Sequence, residues 1–173
     1  MKTLILGGVR SGKSRFGEQL AVVSELPVTY IATATAGDDE MRTRIAAHRE
    51  HRPKDWLVIE EPIQLGRALQ SHAAVNSLLL VDCLTLWLTN LLTAKSDSVF
   101  KQERNVLLAT LPDLKGKIIL ISNETNMGIT PMGALSRRYC DEAGRLHQEL
   151  AGLCDRVILM VAGLPQIMKG DLP

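Results

Sequence analysis

Short apolar runs alternate along this chain with longer stretches in which apolar and polar positions recur at helical spacing. Thr3–Leu6, Val28–Ala32, Trp56–Ile59, Leu78–Val81, Lys117–Ile121 and Arg156–Val161 each read as a strand. Helices are predicted from Lys13 to about Ser24, over Leu65–Ala73, near Leu84–Leu92 and Ser98–Leu111, and from Ala134 to Leu153. Asp38, Asp39 and Glu40 suit the positive end of a helix, so another is predicted from there to about Arg49, with Pro53 closing it. Leu164–Lys169 adds a seventh strand at the sheet edge. Strands alternating with helices build βαβ units, and the fold expected is α/β, with a mostly parallel central sheet flanked by helices. Leu78–Val81 is apolar at every position, as befits a strand covered on both faces. No repeat, low-complexity segment or linker interrupts the alternation, so a single domain over 1–173 is expected.

Composition narrows the partners. The chain has 173 residues, 46% of them hydrophobic and 23% charged, enough to build a core. Lys and Arg number 20 against 19 Asp and Glu, a net charge of +1, so the basic excess of a nucleic-acid binder is missing. Aromatic residues at 3% are too few for base-stacking platforms. Cys83, Cys140 and Cys154 are odd in number and share no CxxC spacing, which reads as free thiols in a reducing compartment. The start MKTLILGG has too short an apolar run for a signal peptide. The apolar stretch Leu78–Leu92 carries Asp82, Thr85, Thr89 and Asn90, and is shorter than the roughly 20 residues of a bilayer span. A cytoplasmic protein acting on small molecules, with no membrane span and no nucleic-acid partner, is expected.

The strongest motif follows the first strand. Gly7, Gly8, Val9, Arg10, Ser11, Gly12, Lys13 and Ser14 match GxxxxGK[ST] between a predicted strand and a predicted helix. Glycines let the backbone curl so that successive N–H groups meet phosphate oxygens, and the helix adds its positive end. Lys13 is expected to reach the β- and γ-phosphates and the Ser14 hydroxyl to bind Mg²⁺. Asp82 closes an apolar strand, at the carboxyl edge where open α/β sheets bind ligands, and supplies a carboxylate for the metal. The competing role for Asp82 is an N-cap for the helix from Leu84.

The segment from Arg44 to Pro53, RIAAHREHRP, sets His48 and His51 three residues apart among Arg44, Arg49 and Arg52. HxxH spacing could hold a metal, but no third ligand is evident and the cationic surroundings oppose one. Positive neighbours attract phosphate and disfavour the imidazolium, leaving a neutral ring able to attack phosphorus. Residue chemistry does not separate His48 from His51, and a solvated basic helix face is the plainer alternative.

Taken together, these residues resemble the bifunctional adenosylcobinamide kinase/adenosylcobinamide-phosphate guanylyltransferase family of cobalamin biosynthesis. The likeness runs nearly end to end. It is carried by GGVRSGKS, Tyr30-Ile31-Ala32-Thr33, Asp39-Glu40-Met41, RIAAHREHRP, Trp56 with Glu60-Glu61-Pro62, LLLVDCLTLWLTNLL from Leu78, Ser122-Asn123-Glu124, Gly128-Ile129 with Pro131, and Gly144-Arg145. The RIxxHRxxRP and VDCLTLWLTN segments are more specific than the phosphate loop, which many enzymes share.

The resemblance implies a RecA-like P-loop NTPase fold, a homo-oligomer (a trimer), and two reactions. ATP or GTP phosphorylates adenosylcobinamide. GTP then gives GMP to adenosylcobinamide phosphate through a GMP-histidine intermediate, releasing pyrophosphate. By position in RIxxHR, the nucleophile is His48. The nucleotide contacts implied are Gly7 through Ser14, Ala32, Thr33, Ala34, Arg49, Glu50, His51, Arg52, Glu60 and Asp82, with Glu61 adjacent to Glu60. The family pattern more often carries Arg in place of Cys140 and Asn in place of His147, and the loop from Glu124 to Gly128 departs from its Glu-Val-Gly form. A kinase without guanylyl transfer, or a non-catalytic nucleotide switch, keeps the phosphate loop and Asp82 but gives RIAAHREHRP no task.

Overall fold

In the computed structural model, which describes residues 1–35, 53–94 and 96–171, the apolar runs form one seven-stranded sheet. The strands are β1 (Lys2–Gly7), β2 (Val28–Ala32), β3 (Leu57–Glu60), β4 (Leu78–Asp82), β5 (Lys117–Asn123), β6 (Arg156–Val161) and β7 (Leu164–Lys169). Their order is β3-β2-β4-β5-β1-β6-β7. All neighbours are parallel except β7, which runs antiparallel to β6. The described helices are α1 (Lys13–Val23), α2 (Leu65–His72), α3 (Leu84–Leu92), α4 (Asp97–Thr110) and α5 (Ala134–Leu153). The helix predicted from Asp38 to about Arg49 lies outside the described residues.

Alternation along each strand divides the core in two. On one face Leu4, Leu79, Val81, Ile118 and Leu120 pack against side chains of α2 to α5, among them Leu69, Trp87, Leu107 and Leu146. On the other, Ile5, Leu78, Leu80, Ile119 and Ile121 pack with Ala21, Phe16 and Leu20 of α1. Burial on both faces is why β4 shows no polar alternation.

Several boundaries move. β5 continues two residues past Ile121 because Ser122 and Asn123 stay in register with Leu6 and Gly7 of β1. β3 is displaced by one, so that Glu60 pairs with Ala32. Pro112 lacks an N–H, and α4 gives way to a 3₁₀ turn over Leu111–Asp113. α4 itself opens on Ser96, whose side chain accepts from the Ser98 N–H at 3.3 Å. β6 turns into β7 through Ala162 (φ 51°) and Gly163 (φ 82°), both left-handed, as a two-residue hairpin requires. The parallel register brings Gly7, Ala32, Glu60, Asp82 and Asn123 to one edge of the sheet.

Candidate active site

The phosphate loop hangs on β1 at this edge. Gly7 has φ 153°, and a Cβ there would lie 2.5 Å from the Met160 carbonyl oxygen, so both conformation and space demand glycine. Gly12, at φ 94°, turns the chain into α1. Arg10 also sits in the left-handed region, at φ 55°. The Gly163 N–H donates to the Ser11 carbonyl at 3.0 Å, so the β6–β7 turn braces the loop from outside. Gly8, Val9 and Arg10 are exposed and Ser14 is half-buried at the start of the helix.

Lys13 is only 6% exposed. Its ammonium donates to the Gly8 carbonyl at 2.6 Å, with the Ser11 hydroxyl at 3.4 Å. Burial pulls its pKa below the ordinary 10.5, while the Asp82 carboxylate and then Cys83 oppose that shift. A partly desolvated cation held by one loop carbonyl and a hydroxyl is poised for phosphate oxygens, which replace the hydration it has lost.

Asp82, half-buried, ends β4 between Ala32 and Ile121. The N-cap of α3 is Cys83, and no side chain caps that helix, so the capping role weighed for Asp82 is not the one it takes. The Asp82–Cys83 peptide is cis. Thr33 follows β2 and is fully buried; its hydroxyl donates to the Cys83 carbonyl at 2.6 Å and accepts from the Cys83 N–H at 3.1 Å. Asn90 of α3 donates to the carbonyls of Thr33 (2.9 Å) and Pro62 (3.2 Å), tying the ends of β2 and β3 to the helix after Asp82. Ala34 is half-buried beside them.

The two adjacent glutamates have different settings. Glu61 accepts from the N–H groups of Ile63 and Gln64 at 2.9 and 2.7 Å, fixing the turn that leads into α2. Glu60 is exposed at the end of β3. The strand order also delivers residues to which spacing assigned no task. β5 lies between β1 and β4, so Asn123 sits opposite Gly7, and the Glu124 N–H donates to the Gly7 carbonyl at 2.9 Å. The Asn123 N–H donates to Thr85 of α3 at 2.8 Å. Their motif, Ser122-Asn123-Glu124, was visible in the sequence, but only strand pairing across more than a hundred residues gives it a place. His48, Arg49, Glu50, His51 and Arg52 lie outside the described residues.

A glycine-rich loop between β1 and α1, a buried lysine within it and a carboxylate ending a nearby strand define a P-loop nucleotide-binding enzyme of the RecA-like class. Solved structures agree on the fold. A protein from Pyrococcus horikoshii OT3 (PH0250) superposes with a TM-score of 0.57 at 10% identity, over 99% of this chain and 87% of that one. The RadB recombinase superposes at 0.51 and 18%, over 91% and 73%. Residues 3–168 match the model of the cobinamide kinase / cobinamide phosphate guanyltransferase family, CobU, and the chain belongs to that family of enzymes. The bifunctional adenosylcobalamin biosynthesis protein CobP of Pseudomonas aeruginosa is 57% identical over 171 residues, 99% of both chains. CobU proteins of the same description are 36% identical in Salmonella typhimurium (95% of this chain, 97% of that one) and 35% in Escherichia coli K12 (95% and 97%). No helix among the described residues is long and apolar enough to cross a membrane.

Proposed function

We propose that this chain phosphorylates the aminopropanol hydroxyl of adenosylcobinamide with ATP or GTP, then transfers GMP from GTP to adenosylcobinamide phosphate through a GMP-histidine intermediate at His48. The observation that carries this is the buried Lys13 ammonium, held inside the loop and attracted by Asp82, in a chain that matches the family over residues 3–168.

In the kinase step the acceptor oxygen bonds to the γ-phosphorus, the bridge to the β-phosphate breaks, and the hydroxyl proton leaves to base or water. Lys13 and the loop N–H groups bind the β- and γ-phosphates and stabilise charge on the departing diphosphate. In guanylyl transfer a neutral His48 attacks the α-phosphorus and pyrophosphate departs into the same loop. The phosphate of the acceptor then displaces His48, giving adenosylcobinamide-GDP. Ala32, Thr33, Ala34, Arg49, Glu50, His51, Arg52 and Glu60 complete the nucleotide contacts in this reading. Thr33 contributes by fixing the segment after Asp82, since its hydroxyl is engaged there.

Ser14 and Asp82 are the residues that would hold Mg²⁺. One hydroxyl and one half-buried carboxylate at the loop form a sparse, hard-oxygen donor set, and this fits an ion that keeps waters and takes its other oxygens from phosphates. When bound, Mg²⁺ supplies charge neutralisation at the phosphates. A homotrimer of one catalytic domain per chain, in the cytoplasm, goes with the same reading; sedimentation of the purified chain tests the assembly.

GTP radiolabelled at the α-phosphate tests the pathway. The wild-type chain should form an acid-labile, base-stable adduct that His48→Ala lacks, should release one pyrophosphate with each adduct, and should release pyrophosphate continuously only while cobinamide phosphate is turned over. An adduct that persists in His48→Ala moves the nucleophile elsewhere; no adduct in wild type favours a kinase alone.

A further inference from the structure

Behind the phosphate loop, α5 presses a histidine against the end of β5. His147 is 6% exposed. Its Nε2 lies 2.8 Å from the Ser122 hydroxyl, and its Nδ1 lies 3.6 Å from Glu124 Oε2. At that distance the bond to the carboxylate is not closed, and Nδ1 is a buried nitrogen with no hydrogen-bond partner. Glu124 uses its other oxygen, Oε1, to accept from the Asn126 N–H at 2.7 Å. Asn126 in turn donates to the Cys140 carbonyl on α5 at 3.0 Å, and a Cβ on Gly144 would come within 3.0 Å of that same amide nitrogen. The helix face Cys140–Gly144–His147 thus clasps the chain from Ser122 to Asn126.

We propose that His147 is a positioning residue for nucleotide binding: it holds Ser122 and Glu124 so that the end of β5 sets the first peptide of the phosphate loop. Glu124 reaches that peptide through its backbone, donating to the Gly7 carbonyl at 2.9 Å. The peptide unit is planar, so fixing the Gly7 carbonyl also fixes the opposed Gly8 N–H, the first amide of the loop. Gly7 lies close against Met160 and Ser11, with no room there for a side chain.

Donor and acceptor inventory assigns the ring. An ionised carboxylate only accepts, so the nitrogen facing it, Nδ1, carries the proton, and Nε2 accepts from the Ser122 hydroxyl. Burial lowers the His147 pKa from its ordinary 6.5, against the pull of the Glu124 carboxylate. Among the described residues, Ser122 is a hydroxyl, Thr85 of α3 accepts from Asn123, and burial pushes the Tyr139 phenol up to about 12, so these neighbours add no charge. Protonation turns Nε2 into a donor and reverses the Ser122 bond, so the clasp is made for the neutral ring.

The inference rests on the loop binding nucleoside triphosphate. Titration calorimetry with GTP and magnesium on the full chain tests it, with thermal melts of every variant. His147→Ala is expected to weaken GTP binding by about tenfold, the effect of losing the buried bond to Ser122. Gln sets an amide oxygen near the place of Nε2, so His147→Gln should bind within about threefold of wild type. Wild-type affinity should also drop on acidification below the ordinary 6.5, while His147→Gln keeps its affinity. The inference is overturned if His147→Ala binds like wild type, if His147→Gln fails as badly as His147→Ala, or if the acid effect is equal in His147→Gln. Should His147→Ala not fold, the Gln variant and its pH profile decide. A wild-type chain that binds no GTP would instead overturn the phosphate-loop reading itself.

Discussion

The Thr33 hydroxyl binds both backbone groups of Cys83, donating to its carbonyl at 2.6 Å and accepting from its N–H at 3.1 Å. Cys83 follows Asp82, so one side chain at the end of β2 fixes the backbone that aims the site's carboxylate. Thr33→Val keeps the shape and removes both bonds, leaving the Cys83 N–H without its partner while the carbonyl keeps only the Trp87 N–H at 3.3 Å. The loss expected is about 1–3 kcal/mol of unfolding free energy, read by urea denaturation, together with weaker magnesium-dependent GTP binding. Unchanged stability would mean that water replaces the hydroxyl at no cost.

Lys13 has a different balance of stability and function. Its burial depresses its pKa, so the folded chain holds the charge at a cost that only Asp82 and Cys83 partly repay. Lys13→Met is expected to leave the melting temperature equal or higher while reducing GTP affinity by about a hundredfold or more, since the loop loses its one buried cation. Retained affinity in this variant would remove Lys13 from the phosphate site.

Glu103 on α4 is 4% exposed and its Oε2 has no hydrogen-bond partner among the described residues. Burial raises its pKa above the ordinary 4.5, against the attraction of Arg67 and with a smaller push from Glu61. The sign follows from linkage: the unfolded chain ionises this group first, so stability falls as pH rises from about 4.5 through the folded value. Glu103→Gln should therefore be more stable than wild type at neutral pH, with the difference vanishing below about 4.5. Denaturation midpoints at pH 4 and pH 7 check this; an equal gain at both would show that charge is not the cause.

Ala162 takes φ 51° beside Gly163 in the β6–β7 turn. A left-handed alanine carries strain that glycine or asparagine avoids, so Ala162→Asn should raise stability by about 0.5–1 kcal/mol. The Gly163 N–H bonds the Ser11 carbonyl, and GTP affinity should stay level or improve. A fall in melting temperature would show that the alanine methyl makes a contact worth more than the strain.

Much of this was legible in the sequence because it is local. Strand and helix are written in the period of apolar positions, and the phosphate loop is eight consecutive residues whose glycines serve their own backbone angles. β4 could be read with Asp82 at its end because an all-apolar run has few other uses. The boundaries that moved did so through distant partners. Ser122 and Asn123 became strand because β1 pairs with them, and Glu60 because Ala32 does.

The tertiary structure alone decided how the site is held together. That β5 lies between β1 and β4 is a choice of partners across the chain, invisible to any window of sequence, and it alone sets Glu124 on Gly7. Thr33 and Glu61 look alike as candidate ligands in a string of letters, yet one holds Cys83 and the other ties the turn before a helix. A side chain's task depends on which donors and acceptors remain unpaired around it, and that is known only after the chain has folded.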